Sequence, residues 1–576
     1  MGGYPIIFDP STTAGPWWNW GAYDAVGNAF GSFLLGDVYN AESNNPDNEY
    51  GRRKAFSVYA SDDIRVNPRL TVNLSLRWDY NNPYKEKYGH WSSFELNDLN
   101  PTSGMMGTYE YLTSGSQSFE RRQDYYNYSP HIGVAYKLTE KTVARANIGV
   151  FYAPLNLNTW GGIPYQQAGN VGFHNITQEG AFNWDAGYNP TLVTPQTVGA
   201  KTPIYITSDV VSIDPRALTP GNTQQYSLGV QHELDRVTKV DVNWIQSHSY
   251  HLQSGFFQHD QPKISDYQNY LSTGKFPASF NQTTFCNVFP SCGDTWWAGL
   301  TPYPQVYAGY TGPLLSVGTP LGNADFKSLQ FSVTRRSSKG LSVLASYNWS
   351  RTHGDVDSDF QEPWWTGSLQ NTYDLKTEAK DISDFDETHI VKGYVIYNLP
   401  IGRGKQLLSD ANPLVDDLIG GWALDGDFHY NTGTPISVHS TNSYPGFNSV
   451  YVNLVSGCKL TNGNRKLNQN WLNLSCFKNP VAGQLGTAGN FQAQVRNPGM
   501  ATEDLGLHKT LSAGPDKRYN LTVRIEFFNI FNRDSLGGPD TNLADTRADG
   551  TSAFGNIAGY GGIGGRVGQF GARFTF

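Results

Sequence analysis

One pattern recurs along the chain: segments of about ten residues in which apolar and polar side chains alternate, the period of a strand with two unlike faces. Leu70, Val72, Leu74, Leu76 and Trp78 share one face, while Thr71, Asn73, Ser75, Arg77 and Asp79 take the other. The same alternation runs through Phe56 to Ile64, Ile132 to Leu138, Ala144 to Val150, Tyr226 to Val230, Val240 to Trp244 and Leu329 to Val333. It continues in Leu341 to Trp349, Val391 to Leu399, Trp422 to Tyr430, Leu505 to Leu511, Leu521 to Phe527 and Phe570 to Phe576, which makes thirteen predicted strands.

Between them the connections alternate in length. Short ones lie at 67–69, 139–141, 235–236, 337–340 and 513–517, with a longer member at 400–421 that has room for a short helix. Long ones lie at 81–130, 153–221, 249–324, 352–387, 433–501 and 532–564, and hold more than half the chain. A soluble sandwich has no reason to sort loop length by side, whereas an outer-membrane barrel has short periplasmic turns and long outer loops. The expectation is an all-β fold, an antiparallel transmembrane β-barrel whose apolar face meets lipid and whose polar face lines the lumen. The long loops read as strand extensions and folded hairpins, and Trp78, Trp244, Trp349 and Trp422 as members of the aromatic girdles.

Composition supports this and excludes other classes. The 576 residues carry 42 basic and 50 acidic side chains, a net charge of −8 that disfavours nucleic acid as a partner. Charged residues are 16% of the chain and aromatic ones 14%. Mean hydropathy is −0.46. No run approaches the roughly 18 consecutive apolar residues of a membrane-spanning helix. A barrel escapes that test because only alternate residues face lipid. The first Lys or Arg is Arg52, so the N-terminus lacks the basic and apolar regions of a signal peptide. The expectation is that an exported protein of this kind begins further upstream.

Several blocks resemble one family. Ser57-Val-Tyr-Ala-Ser-Asp-Asp63-Ile-Arg65 followed by Asn67-Pro-Arg-Leu-Thr-Val-Asn-Leu-Ser-Leu-Arg77-Trp-Asp79 is similar to a strand pair of TonB-dependent outer-membrane receptors, particularly the Oar-like group with a carboxypeptidase-regulatory-like domain. Ser383-Asp-Phe-Asp386, Gly420-Gly-Trp422, Arg524-Ile-Glu-Phe-Phe-Asn-Ile-Phe-Asn532 and the closing Arg566 to Phe576 are similar too. The resemblance implies active uptake through a barrel of about 22 strands with a plugged lumen, driven through the TonB complex by a segment N-terminal to the plug. Against that plan the chain is a partial barrel, about 13–15 strands of the 22. Residues 1–52 would be an N-terminal segment with one or two strands, residues 53–576 the C-terminal part of the barrel, and the plug absent. The terminal Phe576, with Phe570 and Phe574, resembles the signal read by the barrel-insertion machinery.

The remaining chemistry is sparse. Cys286, Cys292, Cys458 and Cys476 all fall in long loops, and local pairing within each loop is the expectation, Cys286 with Cys292 and Cys458 with Cys476. Gly559, Gly561 and Gly564 satisfy G-x-G-x-x-G but precede a strand, not the helix that a dinucleotide needs. Asp355, Asp357 and Asp359 begin like a calcium loop, yet Phe360 and Thr366 stand where Gly and a bidentate Glu belong. His232-Glu233 lacks a second His, with Arg at 236, and His248 and His251 are isolated. No cofactor, metal or catalytic constellation is expected, and no enzyme. The candidate ligand-contacting residues are the loop pairs Trp296, Trp297, Trp364 and Trp365, whose broad faces suit sugars, peptides or siderophores. Arg145 and Arg524 would face the lumen. The function these features point to is uptake of a large or scarce solute across the bacterial outer membrane. A passive porin and a surface adhesin are the alternatives.

Overall fold

In the computed structural model the thirteen alternating segments are thirteen strands of one sheet. They are β1 (Ala55–Asn67), β2 (Leu70–Asn81), β3 (Asn127–Thr139), β4 (Thr142–Tyr152), β5 (Asn222–Glu233), β6 (Thr238–Ser254) and β7 (Thr319–Ser338). After these come β8 (Leu341–Gly354), β9 (His389–Asn398), β10 (Trp422–Asn431), β11 (Ala501–Ala513), β12 (Tyr519–Phe528) and β13 (Val567–Thr575). The structure describes 6–8, 13, 27–36, 40–41, 50–153, 166–167, 182–183, 187–188, 210–288, 296–304, 314–354, 369–375 and 382–576. Positions 90, 102–103, 113, 121–125, 217, 255–256, 448–449, 464, 515–517 and 563 within those ranges are excepted.

Each strand pairs antiparallel with the next in chain order, so the sheet is a simple meander. It is open: among the described residues β1 and β13 are edges and do not pair with each other. Register follows the alternation, because a one-residue slip would turn every apolar side chain to the wrong face. The turns at one end are short, 68–69, 140–141, 234–237, 339–340 and 514–518, and only 399–421 is longer, with a helix at Pro413–Ile419. Lys339 and Gly340 both have positive φ, 51° and 84°, as a two-residue hairpin requires to match strand twist. A Cβ at position 340 would also lie 2.6 Å from the Asn398 carbonyl oxygen.

No second sheet covers the apolar face among the described residues. Leu228 is 59% exposed, Phe574 59% and Leu76 48%. In water each such side chain would forgo about half of the roughly 1.5–3 kcal/mol that full burial is worth. Hydrocarbon removes that penalty.

The buried apolar cores lie instead in the long connections. Ile436, Val452, Trp471, Leu472 and Phe477 form one with Phe554 and Ile557, joining the loop after β10 to the loop after β12. A second joins Trp91, Leu112 and Phe119 to Ile213, and a third joins Tyr267 and Leu300 to Tyr444 and Val450. The expected hairpins are present there as two- and three-stranded sheets, and helices occur as well, at Ile264–Thr273 and Gln282–Val288. Ile264, Tyr267 and Leu271 explain the first helix, since spacings of three and four bring them to one side. Among the described residues of 1–52, Ile6–Ile7 pairs with Asn40–Ala41, Ala29–Leu35 is a helix, and Gly51–Arg52 pairs with Lys85–Glu86 in the loop after β2.

Candidate functional site

The sheet positions two surfaces, and the strands' parity decides which residues each receives. On the outward face of β7, Val333, Phe331 and Leu329 stand between Arg335 and Lys327. The eight residue steps from Lys327 to Arg335 span roughly 27 Å, or about 20 Å along the membrane normal at a ~40° tilt, near the height of an apolar membrane band. Trp244 and Trp349 flank Leu329 with ring centroids 6.3 Å apart, at the long-loop end of that band. Trp78, beside Phe56 and Tyr80, lies toward the same end of β2. At the turn end, Trp422 donates its indole N–H to the Leu418 carbonyl at 3.0 Å, and the Lys509 Nζ donates to the carbonyls of Asp416 and Asp417 at 3.2 and 2.5 Å. The sheet therefore carries aromatic residues at both edges of its apolar band.

The opposite face is polar and linked from strand to strand. Ser57 Oγ donates to Asp79 at 2.5 Å, Arg145 to Gln231 at 2.8 Å, and Asn147 Nδ2 to Ser227 at 3.1 Å. Ser512 Oγ donates to Asn520 at 2.6 Å and Gln569 Nε2 to Glu526 at 2.7 Å. Within this wall a trough of about 470 Å³ is lined by Asn73, Ser75, His131, Asn147, Gln225 and Ser227, among others. The Val150 carbonyl, 3.1 Å from His131 Nε2, can only accept, so Nε2 carries the proton and Nδ1 is left to accept from Ser75 Oγ at 3.3 Å. Gly133 keeps the trough open, because a Cβ there would lie 2.8 Å from the Asn147 Oδ1. Its hydroxyl and amide groups suit a neutral, hydrogen-bonding surface. This trough carries no sequence motif; five small polar residues at lumen parity on neighbouring strands were its only signal.

The long loops are tied to one another by buried polar groups. Asp386, its side chain fully buried, accepts from Arg496 at 2.7 Å and from the Thr352 N–H at 2.7 Å. Gln370 accepts from the N–H groups of Tyr451 and Gly486 at 2.9 and 2.8 Å, and Gln261 donates to the Gln370 carbonyl at 3.2 Å. Arg53 donates twice to Glu120, at 2.7 and 2.8 Å. Burial pulls the His259 imidazole down to about 4, against a raising influence from Asp214. Burial likewise pushes the Tyr373 hydroxyl up to about 12, and that hydroxyl donates to the Gln261 carbonyl at 2.8 Å.

The candidate residues are dispersed over these surfaces. Trp296 stacks on Tyr270 with centroids 4.7 Å apart and planes 7° from parallel, and Trp297 packs beside the Phe285–Ala298 core. Trp364, Trp365, Cys292 and Asp355, Asp357 and Asp359 lie outside the described residues. Cys458 and Cys476 are joined by a disulfide, their Cα atoms 5.5 Å apart, and Cys286 lies half-buried in the helix Gln282–Val288. Arg145 and Arg524 are both at lumen parity, but on β4 and β12, eight strands apart, so the sheet does not bring them together. Arg524 lies 3.5 Å from Glu526. Phe570 and Phe574 project outward from β13, with Phe574 between Tyr519 and Phe576 at 6.3 and 6.0 Å. The glycines at 559 and 561 belong to a loop bonded to Gly537 and Ser535, with no helix to follow. His232 sits at the end of β5 beside Thr142, and His248 pairs with Asp325. Among the described residues no three His, Cys, Asp or Glu side chains gather as a metal site would need.

No curated protein sequence matches the chain. Solved structures do. They include the ferripyoverdine receptor of the outer membrane of Pseudomonas aeruginosa, at 11% identity over 92% of this chain and 39% of that one, with a TM-score of 0.39. The outer membrane transporter YddB from Escherichia coli matches at 7% identity over 91% and 54% of the two chains, with a TM-score of 0.40. The ferric-catecholate import receptor Fiu from K12 E. coli matches at 10% over 91% and 45%, with a TM-score of 0.38. The chain thus spans about two-fifths to just over half the length of these structures. The family model described as an outer membrane beta barrel domain matches residues 7–569, nearly the whole chain. With a meander sheet that exposes its apolar face, carries aromatic edges and turns a polar wall inward, the chain belongs to the outer membrane β-barrel domain family and to the outer membrane.

Proposed function

We propose that this chain forms the wall and outer loops of a TonB-dependent receptor that takes up a large or scarce solute, a sugar, peptide or siderophore, across the outer membrane. The observation that carries the reading is the organisation of the long loops. They are cored, cross-linked by Asp386–Arg496 and Gln370, and stapled by Cys458–Cys476, and so form a pre-shaped surface. A diffusion pore needs an unobstructed mouth; a receptor that captures dilute ligand needs a surface organised before the ligand arrives. The blocks at 57–79 and 524–532 resemble TonB-dependent receptors. Partners in this reading are outer-membrane lipid, the TonB complex, and the barrel-insertion machinery through Phe570, Phe574 and Phe576. Trp296, Trp297, Trp364, Trp365, Arg145 and Arg524 remain the ligand-contact candidates, joined by the trough around His131.

The test is uptake by cells carrying the complete gene, measured across a panel of labelled oligosaccharides, peptides and ferric siderophores. Accumulation of one class that stops when the proton gradient is dissipated is the expected result. Entry that survives loss of the gradient would identify a passive pore.

A further inference from the structure

One turn at the short-turn end of the sheet is unlike the others. Between β9 and β10 the chain folds the helix Pro413–Ile419. The Asn412 side chain caps it, accepting from the Val415 N–H at 2.9 Å, and Pro413 fills a first position where no N–H is needed. At about 100° per residue, Leu414, Val415, Leu418 and Ile419 fall within roughly 140° of the circumference, and Asp416 and Asp417 take the rest. The helix is therefore two-faced, but it is turned the opposite way from one that packs on a core. Asp416 is half-buried, its Oδ1 accepting from the Arg403 N–H at 2.6 Å. Leu414 and Leu418 are 79% and 74% exposed. Leu407 and Leu408 of the same turn are exposed too, and Leu408 sits at φ 61°, a conformation that favours Gly or Asn over a branched apolar residue.

Two outward side chains fix where this helix lies. Trp422 has the parity of Leu424 and Phe428 on the lipid-facing side of β10, and Lys509 stands opposite it on β11. Both hold the helix by its last carbonyls: the Trp422 indole N–H donates to Leu418, and the Lys509 Nζ to Asp416 and Asp417. A cation there also complements the negative end of the helix. The helix is thus fastened to the outside of the wall, at the last outward row of β10 before the periplasm. We propose that Pro413–Ile419 is a membrane-interface anchor, with Leu414 and Leu418 inserted among the acyl chains of the periplasmic leaflet of the outer membrane. Continuity selects lipid as the occupant, because the exposed leucines adjoin the Trp422 row where the lipid-facing band ends. Such a helix lies in the plane of the interface and fixes the height of the wall in the bilayer. The inference rests on membership of the outer-membrane barrel family and is independent of the uptake reading.

The test is a depth measurement on the full protein in vesicles of phosphatidylethanolamine with phosphatidylglycerol. No described cysteine is free. A nitroxide is therefore placed on Leu418→Cys and, in a second protein, on Asp417→Cys, and electron paramagnetic resonance reads its collisions with oxygen and with a water-soluble nickel chelate. Oxygen concentrates among acyl chains and the chelate in water. The oxygen-to-nickel ratio should be at least about fivefold higher at 418 than at 417, as burial of one face by roughly 5–10 Å requires. Leu414→Cys repeats the reading if the label at 418 disturbs the fold. Equal ratios at the two positions would overturn the proposal. Shielding of the leucine-face label from both reagents would mean that protein covers the face, and would overturn lipid as its occupant. Leu414→Gln/Leu418→Gln should speed hydrogen exchange in 413–419 severalfold in the same vesicles and leave β9 and β10 unchanged; unaltered exchange in the helix would count against anchoring.

Discussion

The sheet and the long loops solve the same problem with opposite arrangements. In β7, Phe331 and Leu329 are 42% and 40% exposed while the Ser328 between their neighbours' polar side chains is buried. In the loops, Phe554 and Ile557 are fully buried, and polar groups such as Asp386 and Gln370 are buried with specific partners. Apolar surface leaves water in both cases, into lipid for the sheet and into protein for the loops. The sheet can therefore be built from local alternation alone, whereas the loops must find partners in other connections, as Trp471 and Phe477, in the loop after β10, do with Phe554 in the loop after β12. A perturbation should register in one region and spare the other.

Phe554→Ala gives the largest separation. Truncating a fully buried aromatic costs about 3–5 kcal/mol. Hydrogen exchange should accelerate in 436–496 and 536–557, while exchange in the strands of the sheet stays unchanged. Unfolding of both together would show that the two regions are one cooperative unit. Next comes a neighbouring pair in β7. Phe331→Arg puts a charge into the lipid band at a cost of roughly 2–4 kcal/mol, whereas Gln330→Arg, one residue away on the polar face, should be close to neutral. Urea titration in bilayers distinguishes them, and equal costs would mean that the faces are assigned wrongly.

Removing the disulfide by Cys458→Ser/Cys476→Ser should cost the loop layer up to about 3 kcal/mol, the chain-entropy value for a loop of ~15 residues. Limited proteolysis should show new cleavage in 455–479 and none in the sheet.

A further expected effect is one of pH. His259 has its pKa lowered from 6.5 to about 4 by burial. Between those values an unfolded loop binds a proton that the folded one does not, so the contribution is full above pH 6.5 and is lost as pH falls toward 4. Exchange at Phe257–Gln258 and Leu314–Val317 should quicken over that window, and His259→Gln should flatten the dependence. An unchanged profile in the variant would assign the pH response to other groups.

The same contrast explains what could be read from the residues. All thirteen strands were visible because each writes its two faces into consecutive positions, and the paired-loop asymmetry followed from spacing alone. Strand ends were less visible: β6 runs on to Ser254 and β7 begins at Thr319, beyond the alternation, because above the membrane the outward face no longer has to be apolar. Lys327 and Arg351, at outward parity on β7 and β8, mark that change. The helix Ile264–Thr273 was written in Ile264, Tyr267 and Leu271, hidden by a loop that looked merely polar and aromatic. Trp296 was legible as a prominent ring but not as the partner of Tyr270.

Sequence by itself determined the strands, their faces, their order and the side on which the long loops lie, because period-two alternation and turn length are local properties. Only the tertiary structure decided which loops share cores, that Asp386 meets Arg496 and Gln370 meets Gly486, and that Lys327 stands opposite Arg351. Those juxtapositions depend on register and packing between segments far apart in the chain, and no local pattern encodes them.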